Sequence, residues 1–128
     1  MAVAVEDWIA ISELLSRYAM TIDQKRIDEW MDLLTDDAVI VIPGLDPMTT
    51  PQARRRMAEN TSLGVHHPGP PVIREGDGAG TAVAEQSFVF HNLVTGKVVL
   101  GWYRDELTKR DRWYLSRREI RFQPEEAT

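Results

Sequence analysis

The sequence predicts an α+β fold, and three observations predict it. Helical spacing of apolar residues is confined to about the first 61 of 128 positions. The remainder is dominated by long alternating stretches bounded by glycine, proline and short polar turns. No repeat, linker or low-complexity segment divides the chain, so residues 1–128 read as one domain with an ordered core over about 5–123. Such a chain gives helices packed in a curved, mostly antiparallel sheet.

In order, Trp8, Ile11, Leu15, Tyr18 and Ile22 step by three or four residues and predict a helix over 5–22. Asp23-Gln24-Lys25-Arg26 breaks the pattern. Ile27, Trp30, Met31 and Leu34 carry the stripe of a second helix that stops near Thr35-Asp36. The β-branched run 38–42 then reads as a buried strand ended by Pro43-Gly44. Thr50-Pro51 opens a third helix, running to about Thr61, with a capping hydroxyl and a proline where its missing donor costs nothing. Residues 65–67 and 70–74 form a strand interrupted by prolines, which places it at a sheet edge or a bulge. Gly76-Asp77-Gly78-Ala79-Gly80 is a turn; it precedes a strand rather than a helix, so it is no dinucleotide-binding loop. Strands follow over 81–91, 97–108 and 112–122, joined by the hairpin connections Thr95-Gly96 and Lys109-Arg110-Asp111. The tail after Gln123-Pro124 is expected to fray.

Composition excludes several function classes. A 43% hydrophobic and 27% charged chain sustains a core and a wetted surface. Its net charge of −5 argues against a general nucleic-acid binder. The clusters Arg54-Arg55-Arg56 and Arg117-Arg118 read as solvated helix and strand faces. The absence of cysteine removes disulfides and thiolate chemistry. Acids follow the first apolar residues at once and no apolar run approaches a membrane span, so the expectation is a cytoplasmic protein with no membrane partner. No Gly-x-Ser-x-Gly string or His-x-x-x-His pair supports a serine nucleophile or a metal site.

Four strings then carry a family resemblance: Arg17-Tyr18-Ala19 with Asp23 five residues after the tyrosine; Trp30 and Leu33-Leu34 before Asp36-Asp37-Ala38; His66-His67 before Pro70-Pro71-Val72-Ile73; and Gly101-Trp102-Tyr103-Arg104-Asp105 followed by Trp113 to Arg117. In this order they resemble the SnoaL-like branch of the cone-shaped fold shared with nuclear transport factor 2, over nearly the whole chain. The resemblance implies three N-terminal helices packed in a curved sheet, a pocket for a small hydrophobic or aromatic molecule, and a homodimer, with Trp102 or Trp113 on the outer sheet face. The fold hosts enzymes and non-enzymes, so it does not fix a reaction.

In the family's dehydratases a tyrosine, a carboxylate and a strand histidine meet in the cone, which implies Tyr18, Asp23 and His66 as the catalytic set here. The chemistry is consistent: an imidazole suited to proton transfer near neutrality, a carboxylate to fix its tautomer, and a phenol to donate to a developing oxyanion. Against this, Tyr18 sits on an apolar stripe and reads equally as core, and Asp23 reads equally as a turn residue. His66 and His67 are adjacent on a strand, so only one can face inward. The family spacing favours His66, with His67 kept as a pocket candidate. Alternation along 97–108 puts Tyr103 and Asp105 on one face, as candidate pocket residues, although Asp105 also reads as the ion-pair partner of Arg117 or Arg118.

The family's patterns also exclude. A second histidine used by the family's scytalone dehydratase falls on Gln86, and the carboxylate base of the ketosteroid isomerases falls on Ile42. The Asp-Arg-Asp set of the epoxide hydrolases has no match. The expected function is acid–base chemistry of dehydratase, isomerase or cyclase type, with no cofactor, on a polyketide-, steroid- or aromatic-like substrate. The alternative is a ligand-binding or accessory subunit using the same pocket.

Overall fold

Residues 3–123 are described by the structure, a computed structural model; the expectation for the tail lies outside them. Three helices, α1 (Val5–Asp23), α2 (Ile27–Met31) and α3 (Pro51–Asn60), pack in a six-stranded sheet. The strands are β1 (Leu34–Val41), β2 (Gly64–Pro68), β3 (Val72–Glu75), β4 (Thr81–Asn92), β5 (Val98–Lys109) and β6 (Trp113–Gln123). Their order is β1-β6-β5-β4-β2, with β3 also paired to β4. Only β1 and β6 run parallel; the other pairs are antiparallel. The curved, unclosed sheet and its helices make the α+β cone that the sequence predicts.

The end of α1 positions the rest. Arg26 donates its backbone N–H to Thr21 O (2.8 Å) and Lys25 to Ile22 O (3.2 Å), the paired bonds of a Schellman closure. The residue at its left-handed position is Lys25 (φ 57°), not glycine. Left-handed backbone costs a side-chain-bearing residue on the order of 1–2 kcal/mol, and here the lysine makes contacts that a glycine could not. Its Nζ donates to the carbonyls of Ala58 (2.9 Å) and Thr61 (2.5 Å), capping the end of α3. One turn therefore ties two helices together and leaves Asp23 as the last helical residue of α1. At the start of α3, Thr50 Oγ1 accepts from Ala53 N (3.1 Å), as its sequence predicts.

Several expectations are corrected. The second helix ends at Met31, not near Asp36, because Leu33 O already accepts from Leu115 N in the sheet (2.9 Å). Thr35, Asp36 and Asp37 instead lie in β1, where a bulge leaves five steps of β1 opposite two of β6. Arg54 fills that bulge: buried on α3, its guanidinium donates to the carbonyls of Thr35, Asp36 and Ala38. It is no solvated surface arginine, and burial pushes its pKa down, against the charges of Asp36 and Asp37. Trp113 faces inward, with Nε1 donating to Asp7 (3.0 Å), and is unavailable as an outer-face aromatic. Trp8, expected on the buried stripe, is 42% exposed.

The core joins Ile11, Leu14, Leu15 and Ile22 of α1 and Trp30 of α2 to Ala82, Ala84, Leu107 and Leu115 of the sheet. Two glycines shape its open end. A Cβ on Gly101 would collide with the Phe88 ring and Arg121 O, and one on Gly64 with the Phe90 ring and His91 O. Their lack of side chains lets two phenyl rings lie flat inside the cone.

Candidate active site

Asp23 and His66 meet at the open end of the cone. His66 Nδ1 lies 2.5 Å from Asp23 Oδ1, and the His66 backbone N–H donates to Asp23 Oδ2 at 2.7 Å. The carboxylate thus grips the ring and the chain of one residue. That geometry follows from the sheet: β2 is an edge strand, and the His66 N–H faces away from β4, towards the end of α1. The backbone closes the α1–α2 turn, which leaves the Asp23 carboxylate to reach β2. A carboxylate on Nδ1 favours a proton there and leaves Nε2 as the basic nitrogen. Nε2 has no protein partner among the described residues.

His66 lines a cavity of about 300 Å³ together with Tyr18, Ile22, Phe88, Phe90 and Tyr103. Its ring packs 4.5 Å from Phe90 and 5.9 Å from Phe88 (centroids), and Phe88 stacks on Tyr103 at 4.4 Å. The walls are mostly apolar, the usual character of a small-molecule site. Ile42 also lines it, so an aliphatic side chain stands where an isomerase base is absent from the sequence.

Beneath the cavity lies a second acid–base pair. Arg118 donates through Nε and Nη2 to the two oxygens of Asp105 at 2.8 and 2.9 Å, across directly paired positions of β5 and β6. The two side chains are only 1% and 0% exposed. Arg118 also sits between two phenols, its Cζ 3.7 Å from the Tyr103 ring centre and 4.1 Å from that of Tyr18. Burial pushes both tyrosine pKa values up, and the Arg118 charge opposes it. Burial would lower the pKa of Arg118, but the Asp105 charge overrides it and keeps the guanidinium firmly protonated.

The sequence candidates therefore separate. Tyr18, His66 and Tyr103 share the cavity, and Asp23 holds His66 from behind. Tyr18 makes no hydrogen bond to Asp23 or His66; it is both core residue and cavity wall. His67 does not line the cavity: it points outward and its ring meets His91 at 5.3 Å. Asp105 does not reach the cavity either, being consumed by Arg118. Gln86 faces inward but donates to Gly69 O (2.7 Å) rather than lining the cavity.

The sequence reading passed over Phe88 and Phe90, and it named Arg118 only as one of two possible partners of Asp105, the pairing that forms. Alternation from Gln86 puts both phenylalanines on the inner face, a signal present in the string Gln86 to Phe90. Arg118 was hidden by a bulge: Glu106 pairs Arg117 while Leu107 pairs Leu115, so β6 changes parity at Ser116. Trp113 and Leu115 face inward, and after the bulge so does Arg118. Among the described residues no group of three or more histidine, aspartate or glutamate side chains is placed to hold a metal ion.

Comparison with known proteins places this geometry. Solved structures share the fold at low identity. A candidate scytalone dehydratase from Novosphingobium aromaticivorans is 20% identical, with a TM-score of 0.77 over 89% of this chain and 82% of that one. An NTF2-like protein with a cystatin-like fold from the same organism is also 20% identical (TM-score 0.83, 96% and 86% covered). A hexachlorocyclohexane dehydrochlorinase from Novosphingobium barchaimii is 18% identical (TM-score 0.76, 90% and 85% covered). No curated protein matches in sequence. The SnoaL-like domain family matches over residues 3–119, nearly the full length, and with the cone now described the chain belongs to that family.

Proposed function

We propose that this protein is an acid–base enzyme acting on a one- or two-ring polyketide- or aromatic-like compound, by elimination of dehydratase type. The observation that carries this reading is the Asp23–His66 contact on the wall of an apolar cavity. His66 Nε2 takes a proton from the carbon next to a carbonyl. The freed electron pair forms the carbon–carbon double bond as hydroxide leaves the next carbon, protonated to water by the imidazolium just formed. Asp23 holds the Nδ1 proton and stabilises that imidazolium. Tyr18 or Tyr103, kept neutral by burial, donates a hydrogen bond to the carbonyl oxygen as its charge grows. A cavity of about 300 Å³ is small for a ligand site and matches one or two rings. Two structural neighbours are named for reactions that expel a small molecule, a dehydratase and a dehydrochlorinase, which supports elimination over the isomerase and cyclase alternatives.

The test is turnover of a panel of ring-bearing β-hydroxy ketones, with α-proton exchange in D₂O followed by NMR. His66→Gln and Asp23→Asn should each slow the reaction by about 100-fold or more. Wild-type rates in both variants remove the assignment. Binding of panel members without turnover or exchange, tolerated by His66→Gln, selects the ligand-binding alternative. Association into a homodimer through the outer face around Leu100 and Trp102 belongs to the same proposal, and sedentary monomers in analytical ultracentrifugation would remove it.

A further inference from the structure

The cavity does not end at its mouth. Ile42, Met57, Thr61 and Ser62 line it and also line an outer hollow of about 500 Å³ between the 42–48 loop and α3. Leu45 projects at the far rim of that hollow with 59% of its surface exposed. Two methionines, Met48 and Met57, give the groove walls that adapt to differently shaped aliphatic ligands.

Charge distinguishes this path from the rest of the surface. The chain carries 20 acidic residues, yet among the described residues no aspartate or glutamate lines the cavity or the groove. Among the described residues the one arginine or lysine on either is Arg56. Its neighbours on α3 are committed, Arg54 to the carbonyls of β1 and Arg55 to Asp28 at 2.7 Å. Arg56 itself is exposed and has no hydrogen bond or ion pair among the described residues.

We infer that the ligand is an amphiphile: a ring system in the cavity, and an aliphatic arm along the groove ending in an anionic group that meets Arg56. A neutral compact ligand would leave the groove empty and the arginine without use. An anion at the end of this groove meets a guanidinium able to bind carboxylate or phosphate oxygens in a fork. The inference rests on the cavity being the ligand site and does not require turnover.

The experiment uses 4-(2-naphthyl)butanoate and its primary amide, which share rings and arm and differ in charge, with affinities measured by calorimetry at low salt. Wild-type protein should bind the acid about three- to tenfold more tightly than the amide, the range for one partly exposed charge-assisted contact. Arg56→Gln should bring the acid to the affinity of the amide and leave the amide unchanged. Equal affinities in the wild type, an unaffected acid in Arg56→Gln, or no binding of either probe overturns the inference. Val99→Trp, which fills the cavity from β5, separates the two readings. If it blocks both probes while Arg56→Gln has no effect, only the anionic arm falls; if both probes bind it as they bind the wild type, the cavity itself is not the ligand site.

Discussion

Two acid–base pairs face the inside of this cone, and they do different things. Asp23–His66 joins the end of a helix to an edge strand, with side chains 13% and 15% exposed and an apolar cavity on one side. Asp105–Arg118 joins two central strands and is sealed from water. The difference lies in the cation. A guanidinium cannot release its proton at any pH a folded protein meets, so the inner pair is a fixed charge arrangement that orients two phenols. An imidazole exchanges its proton near neutrality, so the outer pair can do chemistry. Burial alone would single out the inner pair, whose proton is fixed.

Breaking the inner pair should cost the most stability. Asp105→Ala leaves a buried guanidinium uncompensated, and urea unfolding should show a loss of about 3–5 kcal/mol. If the loss stays below about 1 kcal/mol, the pair is not the structural element argued here. Replacing both members by Leu and Met should recover most of that loss, because it removes the orphaned charge. Breaking the outer pair should be milder for folding and, under the proposed function, severe for turnover. Asp23→Ala removes the acceptor of the His66 N–H and should cost about 1–3 kcal/mol, while His66→Gln should barely move the unfolding midpoint.

The phenols around Arg118 sharpen the contrast through pH. Their folded-state pKa values lie above the ordinary tyrosine value near 10. Below that pH both folded and unfolded chains hold the proton, so the tyrosines add no pH dependence. As pH rises past about 10 the unfolded chain releases it first, and each tyrosine then removes up to about 1.4 kcal/mol of stability per pH unit. Unfolding curves between pH 9 and 12 should show this decline, less steeply in Tyr103→Phe; identical slopes would assign the decline to other groups. A smaller effect than at either aspartate is expected at the turn behind the outer pair. Lys25→Ala loses two bonds to the end of α3 and should cost about 1 kcal/mol. Lys25→Gly loses the same bonds but relieves the left-handed backbone, so it should cost less.

Much of the fold was legible because helical periodicity, broken only by the β-branched run at 38–42, gives way to alternation near Thr61. Asp23 and His66 were legible as candidates through the family resemblance, and Tyr103 through alternation along its strand. What alternation could not supply is parity across a bulge. The extra residues in β1 and β6 decide that Arg54 and Arg118 are interior and that Asp36 lies in a strand. Nor could it see across 43 residues, the separation at which Asp23 chooses His66 over its own turn. His67 was a poor pocket candidate for a local reason: adjacent strand residues diverge, and the cavity took His66.

The place of His66 on a short edge strand has one more consequence. β2 is five residues long, and among the described residues its only strand partner is β4. Segments of that kind open locally at a free energy below that of global unfolding. The Asp23 carboxylate, gripping both the ring and the amide of His66, acts as a latch on that opening. The His66 amide is then a gauge of it: native-state hydrogen exchange at this one N–H should quicken in Asp23→Ala while amides in the middle of β5 keep the rate set by global stability.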